Sequence, residues 1–344
     1  MKERLLGKTP DELKQIALEA GLPAFAGRQM AQWLYAKRVR SIAEMTNLSK
    51  QGRERLAERY EVGMTAPIDV QTSRDGTKKY LFPVSPQSSF AVEAVMIPDQ
   101  ERKTLCVSSQ AGCKMGCKFC MTGRQGFHGN LDPADILSQF FAIEEAGELT
   151  NTVFMGMGEP LDNWENVKRV IEVLTADWGL AWSPKRITLS TIGVLPALKR
   201  YLEESKCHLA VSLHNPFPEE RAAFMPVQKA WSITEVVRLI KQYDFTGQRR
   251  VSFEYTVFDG WNNQKRHADA LVKLLRGLEC RVNLIRFHQI PDFPYGTASN
   301  QAMEAFQALL IQGGLTATIR ASRGEDIFAA CGLLAGAHNL PQQI

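Results

Sequence analysis

No stretch of this chain approaches the roughly 20 consecutive apolar residues that a membrane-spanning helix needs, so an integral membrane protein is not expected. The opening Met1-Lys2-Glu3-Arg4 mixes charges and has neither the apolar core nor the small-residue cleavage site of a signal peptide, and the expected location is the cytoplasm. Low-complexity segments and long linkers are also missing, which leaves 344 residues for packed structure; that suffices for one large domain and a small one. Strong charge bias is lacking as well, since the formal charge is only +4. All of that excess lies in residues 1–64, where 12 Lys/Arg face 8 Asp/Glu and Lys37, Arg38 and Arg40 stand near Trp33 and Tyr35. So small an excess fits a solvated helical face as well as a nucleic-acid footprint. Charge therefore permits RNA without pointing to it. Seven cysteines are too uneven a number for a complete disulfide framework, and three of them crowd into eight residues. In a reducing compartment such crowding points to metal binding or catalysis.

The N-terminal segment, 1–64, reads as a small helical domain. Thr9-Pro10-Asp11-Glu12 offers an N-cap with proline just inside, and Arg28–Lys37 and Ser49–Tyr60 carry helical apolar spacing. Over 65–101 the pattern changes to alternation, clearest in Phe90–Ile97 and ended by Pro98, which predicts a β extension. From 102 to 336 a strand–turn–helix unit repeats, leaving 337–344 as a tail. Strands are expected at 104–109, 152–156, 186–191, 208–213, 250–257 and 281–287. Helices are expected near 132–147, 163–175, 194–204, 233–244, 263–277 and 300–313. This alternation specifies an α/β fold with a parallel sheet and outer helices, and six units can curl into an incomplete (βα)6 barrel with ligands at the carboxyl ends of its strands.

Just after the first barrel strand, Cys113, Cys117 and Cys120 form C-x3-C-x2-C in a loop eased by Gly112 and Gly116. Three thiolates on one loop can bind three irons of a cubane 4Fe-4S cluster. The fourth iron is then open to chelate the amino and carboxylate groups of S-adenosylmethionine (SAM). A structural zinc site would need a fourth ligand, for which His128 is nearest, and zinc loops usually supply two separated pairs. A ferredoxin site would want a fourth nearby thiolate, and inert cysteines remain a further reading.

The cluster spacing, with an aromatic before the last cysteine, resembles the radical SAM superfamily. The surrounding strings narrow the match: Cys106–Gln110, Met121–Gly126, Gly156-Met157-Gly158-Glu159-Pro160, Ser190-Thr191, Ser212-Leu213-His214 and Arg323–Gly332 resemble, in order and spacing, the RlmN and Cfr family of RNA methyltransferases, RlmN more closely. The resemblance runs from the N-terminal domain to about residue 336. It implies one 4Fe-4S cluster on Cys113, Cys117 and Cys120, and SAM, two per turnover, bound by Gly158, Glu159, Ser190, Ser212, Leu213 and His214. Where the family pattern has Asn after the sixth strand, this chain has His288, whose imidazole offers both a donor and an acceptor.

The resemblance also implies a mechanism. Adenine carbons beside ring nitrogens are electrophilic and do not attack a sulfonium methyl. Instead Cys331 takes a methyl from one SAM, and a second SAM yields a 5′-deoxyadenosyl radical that removes hydrogen from that methyl. The carbon radical adds to adenine, and Cys106 then attacks the Cys331 sulfur to free the methylated base. Read without the family, both thiols would be buried and inert, as Cys207 and Cys280 remain. Glu93 is the implied proton acceptor; strand alternation puts it with Ala91, Val95 and Ile97, so desolvated surroundings that raise its pKa are expected. The implied activity is methylation of adenosine C2 in 23S rRNA and in tRNA beside the anticodon, with RNA on the N-terminal domain and the barrel rim and an electron donor such as flavodoxin. Three alternatives stand beside it: Cfr-like C8 methylation, a non-catalytic RNA-binding metalloprotein, and a radical SAM enzyme of another class such as a glycyl-radical activase.

Overall fold

The computed structural model describes residues 2–84, 90–245, 247 and 249–335; the expected tail at 337–344, and residue 336 before it, lie outside the described residues. In the N-terminal unit, β1 (Glu3–Arg4) precedes α1 (Pro10–Glu19) and α2 (Ala26–Ala31). The Thr9 hydroxyl accepts the Glu12 amide while the Glu12 carboxylate accepts the Thr9 amide, so the cap read from the sequence is a full capping box. A π-helical turn over Gln32–Ala36 follows α2, and α3 (Lys50–Arg59) leads into β2 (Tyr60–Glu61), which pairs in parallel with β1. Leu13, Leu34 and Leu56 bury the inner faces of these short helices.

β3 (Asp69–Thr72), β4 (Lys78–Pro83) and β5 (Ala91–Asp99) run antiparallel and join the edge of the main sheet at β6 (Arg102–Cys106). Pro98 does not end its strand, contrary to the sequence reading; it pairs opposite Lys103. The register with β4 stops at Met96, so the missing amide of Pro98 breaks no ladder on that side. A hairpin of β7 (Gln110–Gly112) and β8 (Phe127–Asn130) follows, with α4 (Met121–Arg124) between its strands.

α5 (Pro133–Phe141), β9 (Asn151–Phe154), α6 (Trp164–Thr175), β10 (Ile187–Thr191), α7 (Leu195–Glu204) and β11 (His208–Ser212) make the first half of the barrel. The second half comprises α8 (Pro218–Phe224), α9 (Ile233–Ile240), β12 (Val251–Val257), α10 (Lys265–Leu275), β13 (Arg281–Arg286), α11 (Asn300–Gln312) and β14 (Thr316–Ile319). β6 and β9 to β14 are parallel, in a ten-strand mixed sheet whose order is β14-β13-β12-β11-β10-β9-β6-β5-β4-β3. Among the described residues the six expected strands are all present, and β14 adds a seventh parallel strand at the edge. The four residues of β14 are too few for alternation to stand out, and pairing of Arg281–Leu284 with Thr316–Ile319 fixes them.

The helices lie outside. In α6 the buried residues Val167, Val170, Ile171 and Leu174 follow helical spacing. On β12, Phe253 and Tyr255 point outward, Tyr255 packing on Phe306 of α11 at 5.4 Å between ring centroids. Ser252, Glu254 and Thr256 therefore face inward. The N-terminal unit packs on this barrel through Tyr35 against Phe141 and Trp178 and through Arg4, which lies 2.7 Å from Asp135.

Candidate active site

The carboxyl ends of the barrel strands open into a cavity of about 170 Å3, open to solvent on one side. Cys113, Cys117, Cys120, Gly158, Glu159, Ser190, Ser212, His214 and Cys331 all line it. Leu213, His288, Cys106 and Glu93 do not.

The loop carrying the three thiols is shaped by its glycines. Gly112 has φ +69°, and a β-carbon there would stand 1.9 Å from the Gly126 carbonyl oxygen, so this close crossing of the hairpin excludes any other residue. Phe119 packs the loop inward against His214 and Phe224, with centroids 4.9 and 5.4 Å away. Burial raises all three thiols, Cys113 to about 12, and for Cys117 the neighbouring Cys120 and Cys113 add to the effect of burial. Three crowded, desolvated thiols need a cationic group to hold them as thiolates. Among the described residues no three His, Cys, Asp or Glu side chains converge on one metal ion, whereas a cubane takes each thiolate on a different iron. His128 stacks on Phe90 at 3.7 Å and does not line the cavity, so the zinc reading lacks its fourth ligand there. The donor set fits a cluster.

Beside the thiols, a β-carbon on Gly158 (φ +95°) would meet Gln110 at 2.4 Å, which explains the glycine at this tight turn. Glu159 is buried, and its carboxylate accepts the Leu161 and Ile192 amides at 3.0 Å each. Burial outweighs these bonds and raises its pKa to about 7. His214 is buried with φ +56°. Its Nδ1 accepts the Thr256 amide at 2.9 Å, which leaves the hydrogen of the neutral ring on Nε2. Burial, helped by Arg221, lowers its pKa to about 3, so the ring is neutral at ordinary pH. Leu213 instead holds the strand end: its amide donates to the Glu254 carbonyl and its own carbonyl accepts from Arg221. His288 lies 2.7 Å from the Ser322 hydroxyl, at the start of the C-terminal loop.

Cys331 sits on that loop, exposed and facing the cavity that it lines. The loop is clamped from two sides. Gly324 donates to Asp75 at 3.0 Å and Ser73 to Asp326 at 2.5 Å, while Met121 donates to the Gly332 carbonyl at 2.8 Å and Thr122 to that of Leu334 at 2.6 Å. Against the opposing effect of burial, the Thr77 and Gly324 amides bring Asp75 down to about 2. Cys106 ends β6 between Val95 and Val153; burial and then the nearby Cys331 push its thiol up to about 12. Glu93 is buried as expected, yet its surroundings are not purely apolar. Lys79 approaches one oxygen at 3.1 Å, and the Ala335 amide donates to the other at 2.8 Å.

Two buried charges escaped the sequence reading. Arg221 is fully buried and donates to the carbonyls of Ile192, Ser212 and Leu213 and to Gln228, tying two strand ends together. Glu254 lines the cavity near Cys331 and accepts from Ser252 and Asn283 at 2.8 Å each. Burial raises its pKa. The alternation in Val251–Val257 carried the signal for Glu254, as that in Phe90–Ile97 did for Glu93. Arg221, within Pro-Glu-Glu-Arg, reads like a solvated helix start.

Comparisons with known proteins fit this geometry. Residues 107–271 match the model of the radical SAM superfamily, and residues 4–62 match that of the ribosomal RNA large subunit methyltransferase N-terminal domain. The chain is 58% identical over 330 residues to a probable dual-specificity RNA methyltransferase RlmN of Porphyromonas gingivalis, covering 96% of each chain. It is 40% identical over 330 residues to the dual-specificity RNA methyltransferase RlmN of Syntrophus aciditrophicus, covering 95% of this chain and 94% of the relative. Among solved structures, a radical SAM methyltransferase from Sphaerobacter thermophilus superposes with a TM-score of 0.91 at 37% identity, over 97% of this chain and 100% of the other. Among the described residues no helix is long and apolar enough to cross a membrane.

Proposed function

The chain belongs to the RlmN family of radical SAM methyltransferases, and from that premise we propose that it methylates C2 of adenosine in 23S rRNA and, beside the anticodon, in tRNA. The observation that carries the reading is the meeting of Cys331, from a loop more than 200 residues downstream, with the three thiols of the cluster loop in one cavity.

The family's cofactors are a 4Fe-4S cluster and SAM, which when bound supply the one-electron chemistry and the methyl group. Cys113, Cys117 and Cys120 would hold the cluster. The glycine turn at Gly158 lets backbone approach SAM, and Glu159, Ser190, Ser212 and His214 offer it polar contacts from three strand ends. Leu213 and His288 act by position, the first fixing the backbone between Ser212 and His214 and the second steadying the C-terminal loop through Ser322.

Cys331 carries the methyl carbon, and its exposure to the cavity supports that role. Cys106 resolves the adduct: its thiolate bonds to the Cys331 sulfur as the bond from that sulfur to the transferred carbon breaks, and the electron pair stays with the carbon, which takes up a proton to become the methyl group. Glu93 accepts the proton lost from the adenine carbon. Its bond to Ala335, four residues past Cys331, links the base to the loop that bears the carrier. Two SAM are used per turnover, one to charge Cys331 and one for the radical step. Residues 1–64 form the RNA-binding accessory domain, 65–101 the β extension and 102–336 the catalytic barrel, in a cytoplasmic enzyme reduced by a flavodoxin-like donor.

The test is anaerobic reaction of the reconstituted enzyme with SAM, a reductant and unmodified 23S rRNA or tRNA, followed by nucleoside mass spectrometry. Co-elution of the product with the C2-methyladenosine standard is expected. Co-elution with the C8 standard would transfer the chain to the Cfr-like reading, and zinc-bound protein without SAM cleavage would remove catalysis altogether.

A further inference from the structure

We infer that Phe328 is a stacking contact for an unpaired base of the RNA substrate, an inference that rests on the RNA methyltransferase reading above. Phe328 is 67% exposed, more than any other large hydrophobic side chain among the described residues. A solitary exposed apolar residue needs no explanation by itself. Its backbone does. Phe328 has φ +53° and ψ +37°, the left-handed conformation, which the β-carbon of a bulky residue disfavours and glycine accepts freely. Gly324 and Gly332 adopt it in the same loop at φ +62° and +84°. Of the six non-glycine residues with positive φ among the described residues, two carry rings, Phe328 and His214, and His214 lines the cavity.

Nor is this exposure a matter of a fraying end. The segment is clamped before Phe328 by the bonds of Gly324 and Asp326 to Asp75 and Ser73, and after it by those of Gly332 and Leu334 to Met121 and Thr122. Within the arch, the Phe328 amide donates to the Glu325 carbonyl and the Ala329 amide to that of Gly324. The fold thus presents a ring to solvent on a fixed support, three residues before the thiol that lines the reaction cavity. A position serving only stability would take glycine for the backbone and a polar residue for the surface. Strain of this kind, held in place by its surroundings, is the pattern of a functional contact.

The chemistry of the substrate supplies the occupant. An enzyme that modifies a ring carbon in RNA draws its target base out of the stack, and this leaves a neighbouring base with one open face. Unstacked RNA bases are held on aromatic side chains. Such contacts tolerate any base, because every base has a π-face. Phe328 therefore contributes placement and affinity for the nucleotide next to the target adenosine, not sequence choice.

The experiment uses the full-length, cluster-reconstituted enzyme and an unmodified 23S rRNA transcript, with the cluster absorption spectrum as the check on folding. Phe328→Ala should weaken RNA binding about tenfold and raise KM for RNA much more than it lowers kcat. Phe328→Trp should keep the wild-type KM, and its added indole emission should be quenched by RNA. Wild-type RNA affinity in Phe328→Ala, or indole emission in Phe328→Trp indifferent to saturating RNA, overturns the inference while leaving the methyltransferase reading intact. If Phe328→Ala does not fold, the quenching result alone decides. A wild-type enzyme that methylates no RNA overturns both.

Discussion

The cluster loop holds three thiols within eight residues and is shaped from inside, by Gly112 and by Phe119 turned into the barrel, whereas the loop bearing Cys331 is shaped from outside. The latter hangs from Ser73 and Asp75 on one side and from Thr122 on the other, through bonds that span between 212 and 253 residues of sequence. The same cavity thus receives one wall specified locally and another that exists only after the chain has folded. The chemistry divides along that line. The local loop has the donor set for a cluster common to a whole superfamily, and the long-range loop carries Cys331, the proposed methyl carrier.

The comparison can be broken at either loop. Cys117→Ala should cost the most, with the cluster, SAM cleavage and RNA methylation all falling to background in iron analysis and product assays. Cys331→Ala should retain the cluster spectrum and lose RNA methylation, which separates the two loops functionally; loss of both would show that they are one unit. Cys106→Ala and Glu93→Gln should form the covalent protein–RNA adduct and release it far more slowly than wild type, as seen by denaturing gel shift. Ordinary product release by Glu93→Gln would remove the proton-acceptor assignment.

Smaller effects sharpen the contrast. Asp75→Asn removes the charged acceptor of the Gly324 amide. The expected cost is about 1 kcal/mol, or roughly fivefold faster hydrogen exchange around 324–328, with exchange around 113–120 unchanged. His214 provides a pH signature. Unfolded histidine takes up a proton below about 6.5, while the buried ring stays neutral until about 3. The unfolded state therefore binds more protons in that window, and stability falls as pH drops from 6.5 toward 3. The contribution is ~1.4 kcal/mol per pH unit at most. His214→Gln should flatten that slope in urea unfolding compared at pH 6.5 and 4.5.

The asymmetry of the two loops also explains what was legible in the sequence. C-x3-C-x2-C and six of the seven parallel strands stand in local pattern, as does the Thr9 capping box. β14 is four residues long, the β7–β8 hairpin is hidden in glycine-rich turns, and β1 pairs with β2 across the 55 residues of chain between these two-residue strands; none has enough local periodicity to register. Pro98 reads as a strand end because nothing local says that β4 has already stopped pairing. The ion pair of Lys79 with Glu93 and the place of Arg221 beneath the strand ends are tertiary facts. So is the position of His288, whose neighbour across the fold is Ser322.

The most direct test of Cys331 as methyl carrier is a reaction with SAM trideuterated at the methyl group, followed by mass spectrometry of the methyladenosine. If the carbon rests on Cys331 and loses one hydrogen there before joining the base, the product methyl retains two deuterium atoms and the third appears in 5′-deoxyadenosine. A product retaining all three would mean that the methyl moved intact, and that Cys331 does not carry the carbon in the way its place in the cavity suggests.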